Sequence, residues 1–244
     1  IEVNPRSSRT IPFISKVTRI PMVRIATEVM RGKTIAQQGY EGGLAKKQDL
    51  IAVKAPVFSM SKLAGVDTFL GPEMKSTGEV MGIDTTFEGA VTKALLGSGL
   101  NIQEGEAVLL SIADPDKADA LGLVRTLDKA GHPIYATGGT AEMIRAMGVE
   151  VIEVEKRLRI GAGRTVVDVI EDGSVSAVVN TVTGDRSTMQ DGFHIRRSAV
   201  MQRIPCFTSI DTARCAVEAE GTAVGALGGQ GYNIKTLAEY LNVE

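Results

Sequence analysis

Apolar and polar positions follow two different patterns along the chain, and the change falls near residues 97–101. Beyond that point, short continuous apolar runs alternate with amphipathic segments, as buried strands alternate with helices. The apolar runs predict strands at 107–112, 133–136, 149–154, 175–180 and 206–209. The amphipathic segments predict helices at 117–130, 141–147, 166–171, 195–202 and 211–219, with a weak one at 236–241. This alternation predicts an α/β fold in which a five-stranded parallel sheet is flanked by helices.

The pattern before residue 97 is less regular. Helices are predicted at 20–31, 34–38 and 86–96, and a strand at 51–60. Pro56 is expected to interrupt that strand, because proline cannot donate to a strand ladder. These elements are too few to close a sheet, so we expect an incomplete α+β unit whose apolar faces are covered by upstream sequence. Two domains are therefore predicted, at 1–99 and 100–244.

Composition narrows the class of protein. The chain has 244 residues, of which 43% are hydrophobic and 23% charged, and its net charge of −2 is typical of a soluble globular protein. So small a charge gives no electrostatic reason to expect nucleic acid, and no apolar run reaches the roughly 18 residues that a membrane span needs. Cys206 and Cys215 have no metal-binding spacing, so we expect two reduced thiols in a cytoplasmic protein. Neither His132 nor His194 has a catalytic neighbour at a suggestive spacing, so structural or surface roles are expected.

A cluster of charged and amide side chains lies within the first ten residues. If residues 2–4 form a strand, the side chains of Glu2, Asn4 and Arg6 point to one face. Carboxylate and amide oxygens are hard ligands that suit Mg²⁺ or Mn²⁺ bridging nucleotide phosphates. Arg6 and Arg9 add forked donors for carboxylate or phosphoryl oxygens. We therefore predict that Glu2 and Asn4 are metal ligands beside two anion-binding arginines.

A second cluster is predicted at the carboxyl edge of the parallel sheet. The turn 137–140, Thr-Gly-Gly-Thr, opens a helix, whose unpaired amides and dipole favour phosphate. Lysines follow the first and third strands and an Asn-Thr pair follows the fourth, so all meet at one edge. Two ammonium groups beside a helix N-terminus suit a phosphomonoester, and an asparagine can pair with a ribose or base edge. The residues of this predicted site are Lys117, Thr137, Gly138, Gly139, Thr140, Lys156, Asn180 and Thr181.

Each of these signals also has a simpler explanation. Lys117 and Lys156 are each consistent with a solvated lysine, the glycine turn with a tight strand-to-helix connection, and Asn180 with a capping residue. The convergence of four strand ends on one edge favours the binding site over these separate explanations.

Three segments are similar to one known family. Residues 2–10 are Glu-Val-Asn-Pro-Arg-Ser-Ser-Arg-Thr, residues 12–16 are Pro-Phe-Ile-Ser-Lys, and residues 71–82 are Gly-Pro-Glu-Met-Lys-Ser-Thr-Gly-Glu-Val-Met-Gly. They resemble the large chain of carbamoyl phosphate synthase, at the end of its second ATP-grasp half, which phosphorylates carbamate. The sequence from about residue 101 resembles the regulatory domain of that chain, which has a methylglyoxal-synthase-like fold. The resemblance covers essentially the whole chain, which looks like the last quarter of a longer protein.

The resemblance implies roles for both clusters. Glu2 and Asn4 match ligands of the Mg²⁺ or Mn²⁺ bound with ATP, and Arg6 and Arg9 match donors to phosphoryl and carbamate oxygens. The predicted site at the sheet edge matches the place where the family binds an effector nucleotide such as UMP or IMP. The remainder of the ATP site would lie upstream, so the chain alone is expected to be inactive.

The resemblance also implies the chemistry and partners of the intact enzyme. That enzyme makes carbamoyl phosphate from bicarbonate, ammonia from glutamine, and ATP, for pyrimidine and arginine synthesis. Its large chain works with a glutaminase small subunit and is expected to form oligomers. Neither nucleic acid nor a membrane is expected as a partner.

One departure from the family concerns ornithine. Some members bind ornithine between the synthetase and regulatory domains through a Glu and a Tyr, and the matching positions here are Ala55 and Cys206, although Thr208 is kept. Since an ammonium ligand needs a carboxylate, we expect no activation by ornithine. Inhibition by UMP in a pyrimidine-directed enzyme is the corresponding hypothesis.

Two other classes of function stay open. A stand-alone phosphate-binding enzyme, such as methylglyoxal synthase, shares the fold and the phosphate turn, and Asp114 and Asp116 follow the first strand as candidate acids or bases. In the sequence, neither has a partner that would tune its pKa. A nucleotide-sensing module without an enzyme is the third class, which leaves the cluster at residues 2–9 unexplained.

Overall fold

The computed structural model describes residues 8–60, 69–70, 74–156, 163–183, 186–224 and 234–241, with the side chains of 186–189 and 221–224 left aside. Its first part contains two short helices, an antiparallel strand pair and a longer helix. These are α1 (Thr10–Thr18), α2 (Met22–Met30), a 3₁₀ turn (Ala36–Gln38), β1 (Ile51–Val57), β2 (Gly78–Asp84) and α3 (Phe87–Ser98). The predicted helices near 20–31, 34–38 and 86–96 are present. Helix α1 is a helix that the pattern did not predict.

The expectation that Pro56 interrupts its strand is wrong. Pro56 lies inside β1, opposite Glu79 of β2, and its side chain is exposed. Strand β1 is paired with β2 alone within the described residues, so it has an open edge where a missing N–H costs no ladder bond.

The second part is a regular alternation of strands and helices. It comprises β3 (Val108–Ser111), α4 (Lys117–Ala130), β4 (Ile134–Thr137), α5 (Gly138–Ala146), β5 (Ile152–Val154), α6 (Val166–Glu171), β6 (Ala177–Asn180), α7 (Arg186–Met201), β7 (Cys206–Phe207), α8 (Ile210–Val224) and α9 (Leu237–Tyr240). The strands form one parallel five-stranded sheet in the order β5-β4-β3-β6-β7. The predicted fold class, a parallel α/β sheet flanked by helices, is confirmed.

The strand order places a topological switch between β3 and β6. From β3 the chain moves outward to β4 and β5, and then returns to the other side of β3 for β6 and β7. At such a switch, the loops after the two central strands diverge and leave a crevice at the carboxyl edge. The ends of β3 and β6, at Ser111 and Asn180, therefore border that crevice.

Two apolar clusters cover the two faces of the sheet. Alternate residues of β3 enter opposite clusters: Leu110 packs with α4, α5 and α8, and Leu109 packs with α6 and α7. Helix α3 joins the first cluster through Val91 and Leu95, so the antiparallel pair and the parallel sheet share apolar packing. The Thr92 hydroxyl donates to the Ala219 carbonyl at 3.1 Å across the same contact.

Several predicted boundaries were wrong, and their causes are local. Helix α7 begins at Arg186 rather than near residue 195, because its first two turns are polar and contain Gly192, which hides the helical pattern. Helix α5 begins at Gly138 rather than 141, directly at the end of β4. Strand β7 spans only Cys206–Phe207.

Candidate functional site

The glycine turn forms the N-terminus of a helix at the sheet edge. Thr137 is the N-cap of α5, with an extended backbone, and Gly138 and Gly139 are the first two helical residues. Among the described residues, the Thr137 side chain makes no capping hydrogen bond to α5. The first amides of the helix therefore retain the orientation that suits an anion.

Lys117 reaches over this helix start. A methyl group added to Gly139 would lie 3.2 Å from the Lys117 Nζ, so the ammonium is in contact range of the turn. The same Nζ lies 2.7 Å from Asp114 Oδ1. The hydrogen bond and charge of Lys117 lower the pKa of Asp114, and the charge of Lys156 lowers it further. Both predicted lysines therefore act on the same edge of the sheet.

The pairing of Asp114 corrects one expectation. No partner that would tune the pKa of Asp114 was expected from the sequence, whereas in the structure Lys117 pairs with it, lowers its pKa and keeps the carboxylate ionised to lower pH. The two residues are three positions apart, across the junction between a 3₁₀ turn (Asp114–Asp116) and α4. Only the helical geometry of that junction brings the groups together.

The predicted threonines hold the loop that follows β3. Thr140 is buried, and its hydroxyl accepts from the Ile112 amide at 3.0 Å. The Thr181 hydroxyl accepts from the Ala113 amide at 2.9 Å. These bonds fix the loop between β3 and Asp114, so the two threonines shape the crevice from either side.

Asn180 is buried beneath the crevice. Its Nδ2 donates to the Ser111 carbonyl at 3.2 Å, and its Oδ1 accepts from Arg196 Nη1 at 2.8 Å. Arg196, on α7, is wholly buried, and the sequence did not single it out. An arginine in a polar helix normally indicates solvent exposure, so no local signal distinguished it.

Glu153 is a second residue that the sequence did not indicate. A methyl group at Gly138 would lie 3.3 Å from Glu153 Oε1, and Arg145 Nη2 lies 2.7 Å from the other carboxylate oxygen. The Glu153 side chain is on β5, beside β4, so only the strand pairing brings it to the turn. A carboxylate there restricts where an anion can approach α5.

The first predicted cluster is only partly described. Glu2, Asn4 and Arg6 lie outside the described residues. Arg9 is exposed, and its Nη1 donates to the Thr77 carbonyl at 2.6 Å, just before β2. Within the described ranges, no group of three or more His, Cys, Asp or Glu side chains is placed to hold a metal ion.

The positions matched to the ornithine site meet in one cavity of about 560 Å³. Ala55 from β1 and Cys206 with Thr208 from the end of the sheet all line it. The lining is mainly apolar, although Asp211 contributes a carboxylate that is paired with Arg214 at 3.1 Å. The cavity lies where β1 and α3 meet β7 and α8.

Of the helices that the structure describes, none has both the length and the apolar character needed to cross a membrane.

The fold and the edge site define a class of domain. Residues 119–208 match the family described as the MGS-like domain, so a domain of this class is present in the chain. A crystal structure of methylglyoxal synthase from Elizabethkingia anophelis NUHP1 is similar over 48% of this chain and 79% of that one, at 21% identity. Its TM-score is 0.35.

Two proteins with similar sequences match nearly the whole chain. A protein from Thermomicrobium roseum, named carbamoyl phosphate synthase large chain, is 53% identical over 98% of this chain and 22% of its own length. One with the same name from Lachnoclostridium phytofermentans is 46% identical over 93% of this chain and 21% of its own. The resemblance to the carbamoyl phosphate synthase large chain is confirmed, and the chain spans about a fifth of the length of these relatives.

Proposed function

We propose that this chain is the C-terminal part of the large subunit of a glutamine-hydrolysing carbamoyl phosphate synthase. The support is its identity of 46–53% with proteins of that name over nearly its whole length. We further propose that residues 1–99 complete the ATP site that phosphorylates carbamate, and that residues 100–244 form the regulatory domain. Bicarbonate, ammonia and ATP would be substrates of the intact enzyme, and a glutaminase small subunit its partner.

The regulatory site is proposed at the N-terminus of α5. The observation that carries this proposal is the Lys117 ammonium, 3.2 Å from the position of a Cβ at Gly139. A phosphate placed there would accept from the first amides of α5 and from Lys117, with Lys156 adding charge at longer range. An effector nucleotide such as UMP or IMP fits this chemistry.

The Asp114–Lys117 pair suggests how the nucleotide acts on the loop. In the structure, Asp114 Oδ1 lies 2.7 Å from Lys117 Nζ and forms an ion pair with it. A phosphate dianion competes for the same ammonium and repels the carboxylate, so binding would displace Asp114 from Lys117. The loop after β3 would then change its position relative to α5.

The second proposed role belongs to the first residues of the chain. The carboxylate of Glu2 and the amide of Asn4 have the oxygen donors that Mg²⁺ or Mn²⁺ prefers, and these residues would hold the ion bound with ATP. Bound there, the ion would neutralise charge on the transferred phosphoryl group. Arg6 and Arg9 would orient phosphoryl and carbamate oxygens, and the exposed guanidinium of Arg9 at the start of β2 is consistent with that role.

Calorimetric titration of UMP and IMP into the 244-residue chain tests the regulatory site. Lys117→Ala should weaken binding about 10-fold or more, because a charged hydrogen bond to phosphate is lost. Lys129→Ala, at the opposite end of α4, is the matched control and should bind normally. Equal affinity in the two variants would exclude Lys117 from the site.

A second function is suggested by one observation, the position of the Asp114 carboxylate beside the proposed phosphate site, although the pairing with Lys117 lowers the pKa of Asp114 and makes it a weak base. In a stand-alone enzyme of the methylglyoxal synthase type, such a carboxylate would serve as a base. Release of inorganic phosphate from dihydroxyacetone phosphate by the chain would support that function. Its absence, together with UMP or IMP binding, would support the regulatory site.

A further inference from the structure

Arg196 is the least expected charged residue in the core. Its side chain is fully buried, and a buried guanidinium is unfavourable unless its donors are used. One donor, Nη1, reaches Asn180 Oδ1 at 2.8 Å. The guanidinium carbon lies 5.6 Å from the centre of the Phe69 ring, within the range of a cation–π contact. Arg196 thus contacts both the sheet edge and the part of the chain that precedes α3.

Gly192 leaves just enough room for this arrangement. It lies one turn before Arg196 on α7, and a methyl group there would come within 2.5 Å of Arg196 Nη1 and 2.6 Å of Val182 Cγ2. The same methyl would lie 3.2 Å from Asn180 Oδ1. Any side chain larger than hydrogen at position 192 must therefore disrupt the hydrogen bond between Arg196 and Asn180.

The hydrogen bonds of Asn180 connect Arg196 with the crevice. Asn180 Nδ2 and the Thr181 amide both donate to the Ser111 carbonyl at 3.2 Å, and the Thr181 hydroxyl accepts from the Ala113 amide. Asp114 follows Ala113 directly and pairs with Lys117. Polar contacts, joined by the backbone between Ala113 and Asp114, therefore connect the proposed phosphate site with Arg196.

We propose that Arg196 is a positioning residue of the effector site, which fixes the Asn180 amide and couples nucleotide binding to Phe69. This inference rests on the proposed regulatory function of the same edge. Occupancy of the crevice moves the loop after β3, the Asn180 amide follows, and the guanidinium transmits the change to the aromatic ring outside the parallel sheet. Coupling of this kind requires that the two sites share an element whose position each of them affects.

An introduced fluorophore at position 69 tests the coupling. The chain has no tryptophan, so a Phe69→Trp variant carries a single indole, which keeps the contact with the guanidinium. Titration with UMP, and separately with IMP, should change the indole emission. The dissociation constant fitted to that change should equal the one measured by calorimetry. On this background, Arg196→Lys should remove the emission change at saturating nucleotide and weaken binding about fivefold or more.

Gly192→Ala provides a second variant that leaves Arg196 itself intact. It should reduce the emission change in the same way, because the added methyl displaces the Arg196–Asn180 bond. Gly122→Ala is the matched control, a helical glycine on α4 where an added methyl meets nothing within 4 Å, and it should leave both readouts unchanged. Far-ultraviolet circular dichroism verifies that each variant is folded.

The outcomes separate this inference from the proposed function. If neither nucleotide binds to the unsubstituted chain, both are overturned. If one binds but the indole emission does not respond, or responds as strongly in Arg196→Lys and Gly192→Ala as in the Phe69→Trp chain without them, the effector site stands and the role of Arg196 is overturned.

Discussion

At the scale of single residues, His132 connects two distant parts of the fold. Its Nδ1 lies 2.8 Å from the Glu106 carbonyl oxygen and its Nε2 lies 2.9 Å from Glu220 Oε2. Both partners are acceptors, so the ring satisfies both when it is protonated. The hydrogen bond to Glu220 raises the pKa of His132, burial opposes the rise, and the Glu106 carbonyl and nearby carboxylates add to it. The histidine is buried, in keeping with its expected structural role.

The raised pKa of His132 predicts a pH-dependent contribution to stability. The stabilisation is fully present below the ordinary histidine pKa of about 6.5 and is lost as pH rises through the higher folded pKa. His132→Gln should therefore lower the free energy of unfolding more at about pH 6 than at about pH 9. Urea unfolding of both proteins at the two pH values measures this difference. A penalty that is the same at both would contradict it.

Local chemistry predicted some residues of the site and not others. The Thr-Gly-Gly-Thr turn and Lys117 were found because a glycine turn and strand ends are visible in sequence. Arg196 and Glu153 were not found, because the position of each at the site depends on tertiary packing. Packing brings Arg196 to Asn180 and Glu153 to Gly138.

At the scale of elements, α3 shows why some boundaries could be predicted. Its start is fixed by Thr86, whose hydroxyl accepts from the Gly89 amide at 3.1 Å, and its end by Gly99, in the left-handed conformation at φ 72°. Both signals lie within a few residues of the helix ends. Helix α7 lacks such a pattern in its first two turns, and its position depends on packing against α6 and the sheet.

Close packing of α3 on β2 predicts a strong effect at Gly82. A methyl group there would lie 2.0 Å from the Ala90 carbonyl oxygen and 2.6 Å from the Ala94 amide nitrogen, both backbone atoms. Gly82→Ala should therefore destabilise the protein by about 3 kcal/mol or more, because the helix must move away from the strand.

Gly97→Ala, on α3 where that helix faces β2, is the control. The nearest atoms to its added methyl would belong to Val80, at 3.4 Å or more, so the substitution should be neutral or stabilise by up to about 1 kcal/mol through helix propensity. Urea unfolding measures both variants. Similar stabilities for the two would contradict the proposed close contact.

At the scale of the whole molecule, contacts join the sequence-predicted domains. Helix α3 packs on α8, and Lys93 Nζ of α3 donates to the Tyr240 hydroxyl of α9 at 2.6 Å. Arg19 Nη1 reaches the Leu241 carbonyl at 3.5 Å. The sequence pattern showed a change of regularity near residue 97 but did not predict this packing. Contacts between residues that are far apart in the sequence leave no local pattern.

The shared packing predicts cooperative unfolding. Because α3 contributes to the apolar cluster of the parallel sheet, the elements α1 to α3 and the elements β3 to α9 should lose structure together. Scanning calorimetry of the chain should show one transition, with a calorimetric enthalpy equal to the van't Hoff enthalpy. Two resolved transitions would mean that the units are stable independently.

The proposed regulatory site would bind a nucleoside monophosphate at the N-terminus of α5 beside Lys117. A crystal structure of the chain grown with UMP tests it most directly. Phosphate oxygens are expected within hydrogen-bonding distance of the Gly139 amide and of Lys117 Nζ, with Asp114 displaced from the lysine. Nucleotide bound elsewhere, with the Asp114–Lys117 pair intact at its present 2.7 Å, would contradict it.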